Sequence, residues 1–248
     1  MKRILSCMRR AMQEYAMIEK NELLAVGLSG GKDSVMLLYA LHLLQYFYPV
    51  PYRLHALCID MGFSGSNYEE IKVFCAKLHI PLTIIHTDIG QIVFDIRKEK
   101  NPCSLCSNLK RGALHNAALK LGCHKIAFGH HANDAIETLL LSMLYEAKIS
   151  TFKPVTFLDR KQITLIRPMI YVWEKEIIYQ ANKLALPILP KTCPADGHTK
   201  RDEIKQLIRT MKKTVPDCEE KLLKAIQNKD HLQLWFHLPH NDKDCRGT

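Results

Sequence analysis

The 248-residue sequence lacks the features that mark membrane, exported and repetitive proteins. It has no run of about 18 apolar residues, which a membrane-spanning helix requires. Its basic N-terminus continues into a mixed amphipathic pattern, without the apolar core and cleavage site of a signal peptide. There is no internal repeat and no low-complexity tract. We therefore expect a cytoplasmic globular protein without a membrane partner, and a hydrophobic fraction of 47% permits a large core.

A disulfide framework is not expected either, although the sequence contains nine cysteines. An odd number fits paired cysteines poorly, and a chain without an export signal more economically uses cysteines for metal binding or catalysis. Cys58, Cys75 and Cys123 lie in apolar patterns and are predicted core residues.

Apolar runs typical of buried strands alternate with helical patterns along most of the chain. Strands are predicted at about residues 23–26, 53–59, 82–86, 125–128 and 163–166. Helices are predicted at about residues 3–18, 34–46, 66–79, 107–121, 134–146, 173–184, 200–213 and 217–229. This alternation predicts an α/β protein with a Rossmann-like parallel sheet and helices on both faces. No clear domain boundary is visible, so we assign residues 1–191 to the main domain with its N-terminal helix and residues 192–248 to a helical C-terminal extension.

A glycine-rich corner between the first strand and its helix carries the clearest chemical signal. Its sequence is Leu28-Ser29-Gly30-Gly31-Lys32-Asp33-Ser34. Such a turn presents backbone N–H groups and the positive end of a helix to an anion, and Lys32 adds a mobile charge. The spacing is not that of a Walker A loop, because only three residues separate Gly27 from Gly31 where that motif has four, and Asp33 stands where Ser or Thr is required.

Further polar residues follow the other predicted strands. In parallel sheets ligands bind beyond the carboxyl ends of strands, which places Asp60 and the sequence after the fourth strand near the glycine-rich corner. That sequence is Gly129-His130-His131-Ala132-Asn133-Asp134. We interpret His131 as a satisfied loop histidine, and we leave Glu137 open between neutralising its helix N-terminus and contacting magnesium.

A Cys-x-x-Cys pair at a predicted helix start, Cys103 and Cys106, has three interpretations. It is a redox pair, half of a zinc site or part of an iron–sulfur site. The next plausible ligand is Cys193, and three thiolates without a fourth suit a [4Fe-4S] cluster with one open iron. His198 keeps a Cys3His zinc site as an alternative.

These motifs resemble a known family. The string Ser29 to Ser34 resembles the PP-loop of the N-type ATP pyrophosphatases, which cleave ATP between its α- and β-phosphates. Together with the Cys-x-x-Cys pair, Gly-His-His-x-x-Asp, an Arg-Pro after a strand and a third Cys in a Pro-rich loop, it resembles the TtcA group of tRNA 2-thiocytidine synthetases and the related TtuA 2-thiouridine enzymes. The resemblance covers nearly the whole chain.

The resemblance implies an ATP-dependent sulfurtransferase that adenylates a pyrimidine carbonyl oxygen in tRNA and replaces it with sulfur, cytidine giving 2-thiocytidine. It implies ATP, Mg²⁺ and a [4Fe-4S] cluster as cofactors, tRNA and a sulfur donor (sulfide or a cysteine desulfurase) as partners, and leaves a homodimer open. The implied catalytic residues are Lys32, Asp33 and Asp134. The implied ATP-binding residues are Leu28, Ser29, Gly30, Gly31, Lys32, Asp33, Ser34, Asp60, Gly129 and His130. The implied cluster ligands are Cys103, Cys106 and Cys193.

The sequence departs from the family pattern at one motif position, where Asn133 replaces the first of two usual acids. It is also short at its N-terminus for a TtcA enzyme, and it lacks the additional Cys-x-x-Cys pairs of the TtuA branch, which argues against that branch. Alternative functions are a sulfurtransferase or desulfurase acting on a small thiolated molecule, a PP-loop amidotransferase or ligase, and a zinc-stabilised RNA-binding protein without catalysis.

A net charge of +10 favours a polyanionic partner such as nucleic acid. On the helix predicted near residues 200–213, basic residues form one arc beside an apolar stripe, which suits a phosphate backbone and also an ordinary solvated surface. This basic arc consists of Arg201, Lys205, Arg209, Lys212 and Lys213. The arc and Arg9–Arg10 are the predicted RNA contacts.

Overall fold

A computed structural model of the chain describes residues 1–63, 67–97, 102–190, 200–228 and 230. The strands are β1 (Glu22–Gly27), β2 (Tyr52–Asp60), β3 (Leu82–His86), β4 (Lys125–Ala127), β5 (Val155–Leu158) and β6 (Ile163–Ile166). They form one six-stranded sheet in the order β3-β2-β1-β4-β6-β5. Every pairing is parallel except that of β5 with β6.

Helices connect these strands and extend beyond the sheet. They are α1 (Lys2–Glu14), α2 (Lys32–Leu44), α3 (Glu69–Lys77), a single turn α4 (Ile89–Gln91), α5 (Pro102–Lys120), α6 (Ala132–Glu146), α7 (Glu174–Lys183), α8 (Lys200–Thr214) and α9 (Cys218–Gln227). A π-helical turn covers Ile92–Arg97, directly after α4. No helix within the described ranges is long and apolar enough to cross a membrane.

The sheet is buried on both faces, as its apolar strands predict. Leu24 and Val26 of β1 belong to the large core under α1, α2, α3 and α7, whereas Ala25 faces a second core formed with α5. Successive strand residues point to opposite faces, so a continuous apolar run is what a two-sided core requires. The predicted α/β architecture with helices on both faces is therefore confirmed.

The β5 strand was missed by the sequence analysis, which predicted five strands. It pairs antiparallel with β6, from Val155 opposite Ile166 to Leu158 opposite Ile163. Its side chains are mostly half-buried and Phe157 is exposed, because β5 lies at the sheet edge. An edge strand of four residues carries a weak apolar signal, which explains the omission.

The C-terminal helices pack on α6 and not on the sheet. Ile136 and Leu140 of α6 form an apolar cluster with Ile204 and Ile208 of α8, and Leu222 of α9 packs against it. This contact brings α8 beside the start of α6, at the carboxyl edge of the sheet. The division of the chain at residue 191 lies at the edge of the undescribed residues 191–199 and stays a prediction.

Candidate nucleotide and cluster site

The glycine-rich turn between β1 and α2, which we call the first corner (residues 28–34), has an open helix N-terminus. Gly31 is the N-cap and supplies no side-chain cap. The first helical hydrogen bond runs from Val35 N to Gly31 O at 3.1 Å, so the N–H groups of Lys32, Asp33 and Ser34 precede it. Three amide groups at the positive end of a helix have the geometry and the charge that a phosphate requires.

Two hydroxyls hold the first corner in shape. Ser34 Oγ accepts from Ser29 N at 3.1 Å and donates to Gly31 O at 2.9 Å, and the Ser29 and Ser34 hydroxyls lie 3.1 Å apart. Leu28 is fully buried and its N–H donates to Leu57 O at 2.8 Å. Ser34 and Leu28 thus support the turn from within, and the face presented to a ligand is mainly backbone.

Gly30 is required by both conformation and space. Its φ is +79°, and a Cβ there would meet Leu189 Cδ1 at 2.6 Å. Leu189 N also donates to Gly30 O at 3.0 Å. The segment after α7 therefore closes over the first corner through a glycine that no other residue replaces without strain.

The turn between β4 and α6, the second corner (residues 129–134), has a closed helix N-terminus. His131 is the N-cap, and its Nδ1 accepts from Asp134 N at 3.4 Å while Asp134 Oδ2 accepts from His131 N at 2.9 Å. This reciprocal pair is a capping box. The interpretation of His131 as a satisfied histidine agrees with this geometry, and Asp134 has a structural role in addition to its predicted catalytic one.

Gly129 joins the two corners. A Cβ at this position would lie 3.0 Å from the backbone carbon and oxygen of Asp33 and 3.2 Å from Ser34 N. The second corner therefore packs directly on the first turn of α2. The predicted ATP-binding residue Gly129 is placed beside the first corner, where any side chain would push the corners apart.

Eight side chains form a closed charge ring around the two corners. Lys32 Nζ lies 2.9 Å from Asp33 Oδ2 and 2.9 Å from Glu174 Oε1. Asp33 Oδ1 in turn lies 3.7 Å from His131 Nε2, which is 3.5 Å from Asp134 Oδ2. The charge ring consists, in order, of Lys32, Asp33, His131, Asp134, Arg201, Glu137, Lys205 and Glu174.

The other half of the charge ring comes from α8. Arg201 Nη1 lies 3.3 Å from Asp134 Oδ1 and 3.0 Å from Glu137 Oε2. Lys205 Nζ lies 3.8 Å from Glu137 Oε1 and 4.0 Å from Glu174 Oε1. Sequence analysis missed Glu174, the first residue of α7, because an acid at a helix start is ordinary.

Burial and pairing act differently on the members of the charge ring. Burial raises the pKa of Glu137 more than its cationic partners lower it. Burial opposes the charge of Lys32, yet its hydrogen bonds to Glu174 and Asp33 raise the pKa of this ammonium. Asp33 Oδ1 is buried and makes no hydrogen bond within the described part of the chain. A buried carboxylate oxygen that accepts no hydrogen bond is a suitable ligand for Mg²⁺, which is coordinated by oxygen atoms.

His130 is held neutral beside the charge ring. Burial, with nearby Arg167, lowers the pKa of His130 to about 4. Its ring lies 5.0 Å from Phe152 and 6.0 Å from Phe128, measured between centroids. A neutral imidazole suits the predicted role in positioning the nucleotide better than a role as a general acid at neutral pH.

Asp60, a predicted ATP-binding residue, uses its carboxylate to build the loop after β2. Its Oδ1 accepts from Gly62 N at 3.0 Å and from the Tyr68 hydroxyl at 3.3 Å, and Oδ2 lies 2.9 Å from His86 Nδ1. Burial acts to raise the pKa of Asp60, but these hydrogen bonds and the His86 charge hold it below its usual value. A contact of Asp60 with ATP stays a prediction.

The Cys-x-x-Cys pair lies in the first two turns of α5, which begins five residues earlier than predicted. Cys103 is exposed, and Cys106 is buried in an apolar cluster with Ile89 and Val93. Met61, just beyond the end of β2, packs against this cluster, so the pair lies at the same edge of the sheet as the first corner. A helix N-terminus and an apolar surrounding fit two thiolates of an iron–sulfur cluster.

The predicted third ligand, Cys193, and the alternative zinc ligand, His198, lie outside the described residues. Within the described ranges no group of three His, Cys, Asp or Glu side chains is arranged to hold a metal ion. Cys58, Cys75 and Cys123 are buried, as predicted, and burial raises the pKa of each thiol.

The basic arc of α8 divides into two parts. Arg201 and Lys205 pair with carboxylates of α6 and α7, and their side chains stay partly exposed, so a contact of these two residues with RNA stays a prediction. Lys212 pairs with Glu219 of α9. Arg209 and Lys213 are exposed and remain available to an external polyanion. The helical period placed these residues on one arc, but it did not show that part of the arc meets an acidic neighbour.

Comparison with known families agrees with this geometry. A family model described as a PP-loop domain matches residues 4–211. The curated tRNA-cytidine(32) 2-sulfurtransferase of Pelobacter propionicus is 34% identical over 230 residues, which cover 92% of this chain and 86% of that protein. The protein of the same name from Geobacter sulfurreducens is 36% identical, covering 92% of this chain and 90% of its own.

A solved structure shares the fold. It is the U34-tRNA thiolase NcsA from Methanococcus maripaludis with its [4Fe-4S] cluster, which aligns with a TM-score of 0.74 over 92% of this chain and 79% of its own. The identity of 23% makes this similarity one of fold alone.

Proposed function

The chain belongs to the PP-loop family that contains the curated tRNA-cytidine(32) 2-sulfurtransferases, and on this premise we propose that it replaces the C2 oxygen of a cytidine in tRNA with sulfur. The observation that carries the proposal is that the first corner and the Cys103–Cys106 helix turn lie at one edge of one sheet. ATP activation and sulfur delivery require two such sites within reach of one substrate.

The first corner is the proposed ATP site. The open N–H groups of Lys32, Asp33 and Ser34 receive a phosphate, and the Lys32 ammonium offsets the charge on pyrophosphate as it leaves. When bound, Mg²⁺ would stabilise that same charge, and Asp33 and Asp134 are its proposed protein ligands. His130 positions the nucleotide as a neutral group.

The proposed reaction has two steps, adenylation of the cytidine oxygen and its replacement by sulfur. The C2 carbonyl oxygen of cytidine attacks the α-phosphorus of ATP, and pyrophosphate departs. Sulfide then forms the C2–S bond, and AMP leaves with the original oxygen. When bound, a [4Fe-4S] cluster held by Cys103, Cys106 and Cys193 would carry the sulfide. Free sulfide replenishes it directly, whereas the persulfide sulfur of a cysteine desulfurase also requires a two-electron reductant such as a thiol.

The proposed RNA surface consists of Arg9, Arg10 and the basic arc of α8, in which Arg209 and Lys213 are exposed. Unpaired loop bases can be splayed out at lower energetic cost than duplex bases, so an anticodon-loop cytidine is a suitable substrate. An enzyme with this substrate works in the cytoplasm, which we propose as its location.

The test is thiolation in vitro. The anaerobically reconstituted full chain is incubated with ATP, Mg²⁺, sulfide and unmodified tRNA, and nucleosides are analysed by mass spectrometry. We expect 2-thiocytidine with the wild-type chain and with the control Cys7→Ser, and none with Cys103→Ser. Thiolated product from Cys103→Ser at the wild-type rate contradicts the role of the cluster, and product from a small molecule in place of tRNA contradicts the substrate.

A further inference from the structure

Two cations of α8 lie at the proposed nucleotide site, although no motif assigns them to ATP. Glu174 Oε1 lies 4.0 Å from Lys205 Nζ and 2.9 Å from Lys32 Nζ, so that both lysines pair with the same carboxylate oxygen. The ammonium groups of Lys32 and Lys205 are therefore neighbours across a single carboxylate oxygen. An anion that replaces Glu174 as the partner of Lys32 therefore also lies close to Lys205.

Arg201 reaches the opposite side of the same site. Its Nη1 bridges Glu137 Oε2 at 3.0 Å and Asp134 Oδ1 at 3.3 Å. The side chains of Arg201 and Lys205 are 40% and 36% exposed, whereas that of Glu137 is 3% exposed. Both cations are thus accessible from solvent, and the carboxylate they share is not.

The charge balance of the ring shows why these cations matter to a polyphosphate. Four carboxylates face three permanent cations and one imidazole. An incoming triphosphate would meet cations that are already paired, at a site without positive excess, and a dense anion there is repelled. Mg²⁺ on Asp33 and Asp134 neutralises two of the four carboxylates, so that three cations then face the two remaining carboxylates and Arg201 loses one of its two partners.

We propose that Arg201 and Lys205 bind the β- and γ-phosphates of ATP and, after cleavage, pyrophosphate. The inference rests on the proposed function. Without nucleotide these side chains pair with Glu137, Asp134 and Glu174. With Mg²⁺ on Asp33 and Asp134 the ring has an excess of positive charge, and Arg201 and Lys205 turn to the phosphates. Arginine is suited to this exchange because its guanidinium fork binds carboxylate and phosphate alike. Helix α8 is then part of the nucleotide site.

The experiment measures binding of Mg²⁺-pyrophosphate and of AMP to the full chain by titration calorimetry. We expect Arg201→Ala and Lys205→Ala each to weaken pyrophosphate binding about tenfold, and AMP binding by less than about twofold, because AMP lacks the β- and γ-phosphates. The matched control Lys200→Ala, an exposed basic residue of the same helix that forms an ion pair only with Glu203 among the described residues, leaves both affinities unchanged.

A double variant separates phosphate binding from simple neutralisation of Glu137. If Arg201 serves only to balance that buried carboxylate, Arg201→Ala/Glu137→Gln regains both thermal stability and pyrophosphate affinity. Our inference predicts that stability returns and pyrophosphate affinity stays weak. Recovery of affinity, or a loss of AMP binding parallel to that of pyrophosphate, overturns it. If the Arg201 variants do not fold, Lys205→Ala provides the test: weakened pyrophosphate binding with unchanged AMP binding supports the inference, and unchanged pyrophosphate binding overturns it.

The measurement also separates this inference from the proposed function, because it uses neither tRNA nor sulfide. Wild-type pyrophosphate affinity in Lys32→Ala would contradict the assignment of the ATP site itself. Weak binding in Lys32→Ala with wild-type affinity in Arg201→Ala and Lys205→Ala contradicts the inference alone.

Discussion

The two corners of this protein have the same topology and opposite chemistry. Each follows a parallel strand, β1 or β4, and each enters a helix whose first turn contains an acid. The first corner leaves its helix N-terminus uncapped, whereas the second closes its own with the His131–Asp134 capping box. An open helix N-terminus has unsatisfied N–H donors for an anion. A capped one has used its donors internally and provides a rigid packing surface.

The difference shows how one edge of the sheet provides both the open corner and the capped corner that packs against it. Gly129 lets the second corner pack on the backbone of Asp33, and His131 reaches the Asp33 carboxylate. The closed corner thereby fixes the first turn of the open one.

The largest effect is expected from Lys32→Ala at the first corner. Removing the cation that faces the leaving pyrophosphate lowers the rate of AMP formation from ATP at least about a hundredfold. Because Lys32 is partly exposed, the melting temperature changes little. Exposed Lys77→Ala is the control, and a turnover of Lys32→Ala near the wild-type value contradicts the role of the first corner.

Gly30→Ala tests the backbone of the first corner. A Cβ at φ +79° that also meets Leu189 at 2.6 Å destabilises the fold by about 2–3 kcal/mol. Urea denaturation measures this loss. Gly112→Ala is the control, because a Cβ at Gly112 meets no atom within 4 Å. Equal stability of the two variants would show that the segment around Leu189 does not close over the corner.

The second corner predicts a pH dependence of stability. His130 has a pKa of about 4 in the folded chain, below the value of about 6.5 expected when unfolded. The unfolded state therefore binds more protons between these values, so stability falls as pH drops through this window, by about 2 kcal/mol at pH 5. Urea denaturation at pH 8 and pH 5 should show a smaller fall in His130→Gln, and an undiminished fall would refute the assignment.

The smallest effect is expected from the capping box. Asp134→Ala removes the acceptor for His131 N and costs about 1 kcal/mol of stability, whereas Asp134→Asn retains an acceptor and costs less. Thermal denaturation measures both. If Asp134 also binds magnesium, Asp134→Asn loses ATP turnover while remaining stable. Wild-type turnover in this variant would show that Asp134 caps the helix and does not bind magnesium.

The sequence analysis predicted the parts of the site whose function is local. A glycine turn, a lysine and two hydroxyls within seven residues define the first corner, because their geometry depends on near neighbours. The Cys-x-x-Cys pair was recognised for the same reason. The sequence analysis missed the pairing of Arg201 and Lys205 with Glu137 and Glu174, because a helical period gives the angle of a side chain about its own helix and not the identity of the facing surface.

The amino-acid pattern by itself determined the parallel sheet, the open corner and the family, because apolar period and motif spacing are properties of adjacent residues. Only the tertiary structure decided that β5 closes the sheet edge, that Glu174 pairs with Lys32, and that α8 supplies cations to the charge ring. The Glu174–Lys32 pair and the α8 contacts join residues far apart in the chain. Burying the apolar faces of α6 and α8 against each other brings the α8 cations to the carboxylates.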